Sequence, residues 1–159
     1  MRALVLLVLP LFACAMLEPL TPGVSHEPDV QAMFGAPAAE RRLADGSRVL
    51  EFPREPEGMQ NWRVTLGPDG TVRAVEQLVD EPYFAKVQPG MARDDVVNLL
   101  GRFSEETHYR GLGEDVLSWR YLEFGQRVMY FNAHFDGSGR LKYASRTIDR
   151  KADPAQNEM

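Results

Sequence analysis

The chain repeats itself, and a repeat limits the possible folds strongly, because each copy must be a structural unit that its neighbour helps to bury. Pro22-Gly23-Val24-Ser25 followed by Val30-Gln31-Ala32-Met33-Phe34-Gly35 returns as Pro89-Gly90-Met91-Ala92 followed by Val96-Val97-Asn98-Leu99-Leu100-Gly101. Val49-Leu50-Glu51-Phe52 then aligns with Val116-Leu117-Ser118-Trp119, and the stretch Val64 to Val72 with Ala133 to Leu141. Four landmarks in one order describe two copies of one unit.

Each copy opens with a short helix. Val30, Met33 and Phe34 stand at spacings of three and four and give one apolar face, as do Val96, Leu99 and Leu100. Ser25 has the hydroxyl of an N-cap, Pro28 is tolerated in a first turn, and Asp94 and Asp95 put negative charge where the helix dipole favours it. Gly35 and Gly101 are placed to end the helices in the left-handed conformation that other residues avoid. Strands follow, at 48–52, 62–66 and 71–75 in the first copy and at 116–121, 127–135 and 140–145 in the second. Gly67-Pro68-Asp69-Gly70 and Asp136-Gly137-Ser138-Gly139 are turn tetrapeptides between them. Alternation at Trp62, Val64 and Leu66, and at Val128 and Tyr130, gives one dry and one wetter face. The expected class is α+β, two tandem units, each a short helical segment packed on one face of an antiparallel β-meander. The units span 22–76 and 89–149, with 77–88 a connector and 150–159 a disordered tail.

The N-terminus carries a different signal. Met1-Arg2, an apolar run from Ala3 to Leu9, Pro10 and then small residues form a secretory signal peptide over 1–13, too short to span a bilayer. Leu11-Phe12-Ala13-Cys14 places the chain's single cysteine where a bacterial lipoprotein is cut and lipidated, leaving 14–21 as a tether. Ala13-Cys14-Ala15 also satisfies ordinary signal peptidase, which would release a soluble periplasmic protein beginning at Met16. One cysteine allows neither an internal disulfide nor a multi-cysteine metal site. The net charge of −5, with no basic block, gives no electrostatic footprint for nucleic acid or for anionic lipid, so neither is expected by charge alone.

With the lipobox cysteine, the glycine-initiated helix, Leu100-Gly101, Trp119-Arg120-Tyr121 and Phe135-Asp136-Gly137-Ser138-Gly139-Arg140-Leu141, the chain resembles the BamE (SmpA/OmlA) lipoprotein family. The first copy departs at Glu51-Phe52-Pro53 and Leu66-Gly67. Two such units also look like the tandem β-lactamase-inhibitor-type fold. The resemblance implies a non-enzymatic outer-membrane lipoprotein on the periplasmic face, anchored through lipid on Cys14, that binds an envelope protein partner as an accessory of β-barrel assembly or envelope maintenance. The alternative is a soluble periplasmic or secreted inhibitor or sequestering module.

No other residue pattern calls for chemistry. His26, His108 and His134 have no metal-ligand spacing, and no cofactor or metal is expected. Ser118 or Ser145 could be joined to His134 and Asp136, but no Gly-x-Ser-x-Gly elbow is present. Glu105-Glu106 and Asp94-Asp95 are adjacent pairs, which on a strand point apart. Trp62, Trp119, Tyr121, Tyr130 and Phe131 read mainly as packing residues. Sheets lying side by side would offer a concave surface, on which any exposed aromatics would anchor a partner.

Overall fold

The computed structural model describes residues 19–55 and 58–152. The signal peptide, Cys14 and residues 153–159 of the tail lie outside them. The first unit runs through α1 (Glu27–Phe34), β1 (Ala39–Arg42), β2 (Arg48–Pro53), β3 (Asn61–Leu66) and β4 (Val72–Gln77). The second runs through α2 (Glu81–Phe84), α3 (Arg93–Leu100), β5 (Glu105–Tyr109), β6 (Glu114–Glu123), β7 (Arg127–Phe135) and β8 (Leu141–Ile148). Each unit is a four-stranded antiparallel meander, ordered β1-β2-β3-β4 and β5-β6-β7-β8, with helix packed on one face.

The repeat extends to single hydrogen bonds. Gly23 N–H donates to Val72 O at 2.8 Å and Gly90 N–H to Leu141 O at 2.7 Å; Glu27 N–H donates to Gly70 O and Arg93 N–H to Gly139 O. An isolated bridge ties each helix start to the last strand, at His26–Thr71 and Ala92–Arg140. The register shifts at Thr65/Leu66 and at His134/Phe135, positions that align in the two copies.

Helix capping differs in detail from the sequence expectation. Ser25 is not the N-cap: its Oγ accepts from Thr21 N–H, whereas His26 holds the cap position and donates its own N–H to Asp29. Asp94 and Asp95 do occupy the first turn of α3, whose cap, Ala92, has no side-chain acceptor. Gly35 and Gly101 do end the helices at positive φ, +78 and +76, but with ψ of −152 and −159 they leave the left-handed helical region for an extended one essentially restricted to glycine.

Two strands went unseen in the sequence, β1 and β5. Both are edge strands with exposed residues throughout, Ala-Glu-Arg-Arg and Glu-Glu-Thr-His-Tyr, so no apolar alternation marks them. In β7 the core face is Met129, Phe131, Ala133 and Phe135, leaving Val128 and Tyr130 on the other side. The 77–88 segment does more than connect. Phe84 stacks on Phe131 with centroids 4.2 Å apart and meets Tyr121 edge-on, so α2 is part of the second core with Val79 and Val87.

The two sheets do not join. The face of β2–β4 opposite α1 carries Glu51, Asn61, Arg63 and Glu76, and it meets the helical side of the second unit. Arg63 donates to Asn98 O at 2.6 Å, and Tyr83 donates its hydroxyl to Glu76 at 2.5 Å. Asn61, 2% exposed, donates Nδ2 to Leu100 O at 2.9 Å and to Arg102 O at 2.7 Å, while Trp119 donates Nε1 to Gly101 O at 3.0 Å. Carbonyls at the C-terminal end of α3, orphaned by the helix stop, are thus satisfied by one side chain from each unit. A concave surface shared by both sheets is therefore not what forms, because the first sheet's outer face turns toward the second unit's helices.

Candidate partner-binding face

What the second unit leaves uncovered is the outer face of β5–β8. Strand alternation puts Leu117, Trp119, Phe131 and Ala133 into the core, and so sends Ser118, Arg120, Tyr130, Asn132, His134, Tyr143 and Ser145 outward. These residues are bonded across the strands. Ser118 donates to Asn132 Oδ1 at 2.8 Å, Asn132 donates Nδ2 to Thr147 Oγ1 at 3.1 Å, and His134 Nε2 lies 2.9 Å from Ser145 Oγ. Tyr130 donates to Glu105 at 3.0 Å, and Arg120 pairs with the buried Asp149. Burial, together with that acceptor carboxylate, raises the Tyr130 phenol well above its ordinary range, which keeps it a donor.

One end of this face is charged. Glu114, 5% exposed, pairs with Lys142 through Oε1 and stands with Oε2 3.5 Å from His134 Nδ1. The Lys142 hydrogen bond holds the Glu114 carboxyl below its usual range, against the opposing effect of burial. The His134 ring stacks on Tyr143 at 4.2 Å, and Tyr143 and Tyr109 remain 45% and 49% exposed. Half-exposed tyrosines around a hydrogen-bonded polar centre are the composition of a docking surface, giving large rigid area at low entropic cost.

The structure does bring a serine, a histidine and an acid together, as Ser145, His134 and Glu114. Asp136 is not the acid. It accepts from Ser138 N–H, Ser138 Oγ–H and Arg140 N–H inside its own turn. Ser145 lies within β8 opposite Asn132, without the sharp strand-to-helix turn that lifts a nucleophile clear, and Glu114 is already engaged by Lys142. Chemically, this arrangement is a hydrogen-bond network. The paired acids separate as alternation requires, Glu105 to Tyr130 and Glu106 to Arg93. His108 contacts Asp115 on the neighbouring strand, and His26 starts α1. Among the described residues no three His, Cys, Asp or Glu side chains form a group suited to a metal, and no helix is long and apolar enough to cross a membrane. Cys14 lies outside the described residues.

Of the aromatics singled out in the sequence, Trp119, Tyr121 and Phe131 are core, while Trp62 and Tyr130 are half-buried. Tyr109 and Tyr143 were missed as surface residues, since exposure on an outer face follows from sheet order rather than residue type. Two clefts lie away from these tyrosines. One, of about 800 Å³, is bordered by Arg54, Gln60, Val79 and Leu122, the last at the opposite end of β6 from Glu114; the other, of about 410 Å³, is bordered by Leu20, Phe34, Trp62, Arg54 and Gln60.

No family model and no curated protein matches the chain. Among solved structures it is similar to the DUF4309 family protein YjgB of Bacillus subtilis, at 14% identity over 82% of both chains with a TM-score of 0.31. It is also similar to a candidate β-lactamase inhibitor protein of Streptococcus mutans, at 11% identity over 77% of this chain and 82% of that one, TM-score 0.30. An extracellular protein of Bacillus anthracis containing a SCP domain matches at 12% identity over 83% of this chain and 45% of its own, TM-score 0.32. Likeness this low carries no inference about function.

Proposed function

We propose that the chain is a non-enzymatic envelope lipoprotein of BamE-like tandem plan, anchored through lipid on Cys14, that holds a protein partner on the outer face of β5–β8. The signal peptide over 1–13 is removed, 14–21 is the tether, and the units at 22–76 and 89–149 form the binding module. The observation that carries this reading is the face itself, with its polar groups bonded across the strands, His134 Nδ1 excepted, and Tyr109 and Tyr143 left half exposed at its rim. Satisfied polar groups can be covered by a partner with little further desolvation cost, whereas unpaired ones would resist it. The lipobox reading of Leu11 to Cys14 supports lipid anchoring in the envelope, and the resemblance of Trp119-Arg120-Tyr121 and of Phe135 to Leu141 to the BamE family supports the outer membrane, with its β-barrel assembly machinery as the source of partners.

The test is a photo-crosslinking residue placed at Tyr143 in living cells, with the same residue at Val24, 69% exposed on the first unit, as control. The expected result is one dominant adduct from Tyr143 in the envelope fraction, containing a barrel-assembly component, and none from Val24. Identical adducts at both positions would contradict the assignment of the face. An adduct with a secreted enzyme instead would favour the inhibitor reading.

A further inference from the structure

The tip of the β6–β7 hairpin carries an aromatic side chain that nothing in the fold uses. Phe124 is 93% exposed and has φ +50, the only positive φ at a non-glycine among the described residues. With Gly125 at φ +71 and a Gln126 N–H to Glu123 O bond of 3.1 Å, it fills the first central place of a tight turn that wants positive φ twice. Asn-Gly is the favoured pair there, because a bulky side chain strains the left-handed backbone. Strain accepted in order to hold an apolar ring in water points to a use for the ring. Behind the tip, Leu122, 43% exposed, stands opposite Val128 on one face of the sheet, and Ile148 of β8, 44% exposed, stands opposite Met129 on the other, so that an exposed apolar residue lies on either side of the ring.

The tip lies on the side where the chain leaves toward its N-terminus. Leu122 borders Arg54 and Gln60 in one cleft, and Pro19 and Leu20 border the same two residues in the next. From Pro19 back to Cys14 is five residues, a reach of roughly 17 Å when fully extended. A lipid on Cys14 would therefore bring this side of the second unit close to the bilayer. Resting on the lipid-anchor reading above, we propose that Phe124, flanked by Leu122 and Ile148, inserts into the bilayer surface as a second, non-covalent contact. A single aromatic adds little affinity alone, but beside a covalent anchor it acts at high effective concentration and fixes orientation. The ten-residue β6 separates Phe124 from the turn at Leu112 by roughly 30 Å. Tyr109 and Tyr143, toward that far end, would then face away from the membrane.

The test uses Cys14, the chain's only cysteine, to fix the anchor independently of cellular processing. The chain from Cys14 to Met159, carrying F124W, is coupled through the thiol to a maleimide lipid. It is then placed in vesicles of phosphatidylethanolamine and phosphatidylglycerol with brominated acyl chains. L112W, at a position 70% exposed beyond the opposite end of β6, is the matched variant, and the native chain supplies the background of Trp62 and Trp119. In F124W the added indole should lose at least about half its emission and shift to the blue, while in L112W the added indole stays unquenched. No quenching in F124W, or equal quenching in the two variants, would overturn the proposal. Because the anchor is supplied chemically, either result is independent of whether cells lipidate Cys14.

Discussion

The two units share a topology down to individual hydrogen bonds, yet their helix ends carry unequal burdens. In the first, α1 stops at Gly35 in open space, and the core beneath it is small, formed by Val30, Leu50, Phe52, Val64, Leu66 and Val72. In the second, α3 stops at Gly101 under the first unit's Asn61, and α2 adds Phe84 to a core that also holds Trp119, Phe131 and Phe135. Duplication of sequence is thus not duplication of energetics: the second copy has acquired the junction, and the first supplies its cap.

That contrast can be broken most forcefully at the glycines. A Cβ on Gly101 would stand 3.0 Å from Asn61 Nδ2 and 3.2 Å from its Cβ, in addition to the strained backbone, whereas one on Gly35 meets nothing within 4 Å. Gly101→Val should cost about 4 kcal/mol, from strain plus overpacking, and Gly35→Val about 2 kcal/mol from strain alone. Equal losses in chemical denaturation would remove the distinction between the two helix ends. Asn61→Ala, which leaves Leu100 O and Arg102 O without that donor, should cost about 2 kcal/mol by the same measurement. A loss near zero would mean the junction contributes nothing. Phe124→Gly tests the opposite sign: relieving the left-handed backbone should stabilise the fold by about 1 kcal/mol while weakening vesicle contact.

The smallest effect concerns pH. The Glu114 carboxyl is depressed in the folded protein by Lys142, so its contribution is present above its ordinary value of 4.5 and is lost as pH falls through the lower folded value. Glu114→Gln should therefore flatten the acid limb of the melting-temperature profile. A limb of unchanged steepness would show that the pairing with Lys142 and His134 has no energetic weight.

Much of the fold was legible because its landmarks are local. Gly35, Gly101 and the turns at 67–70 and 136–139 announce themselves by residue type, and the alternation Trp62-Val64-Leu66 by spacing. What escaped depends on contacts distant in sequence. Asn61 occupies the position that aligns with Tyr130, as the pairings Pro53–Asn61 and Arg120–Tyr130 show, and a lone polar residue in a strand gives no hint that it will cap a helix in the other unit. Helix α2 is four residues long, below any periodic signal, and only its packing on Phe131 makes it part of a core. The candidate face was readable in part. Alternation separates core from outer residues, but which outer face stays open is decided by how the units meet. Phe124 did have a signal, Phe-Gly standing where a hairpin favours Asn-Gly.

The role assigned to the chain turns on the chemistry of Cys14, which can be read directly. Mass spectrometry of the mature protein isolated from envelopes does this. The expected N-terminus is Cys14 carrying three acyl chains; an unmodified N-terminus at Met16 would contradict the lipid anchor and leave a soluble binding module in its place.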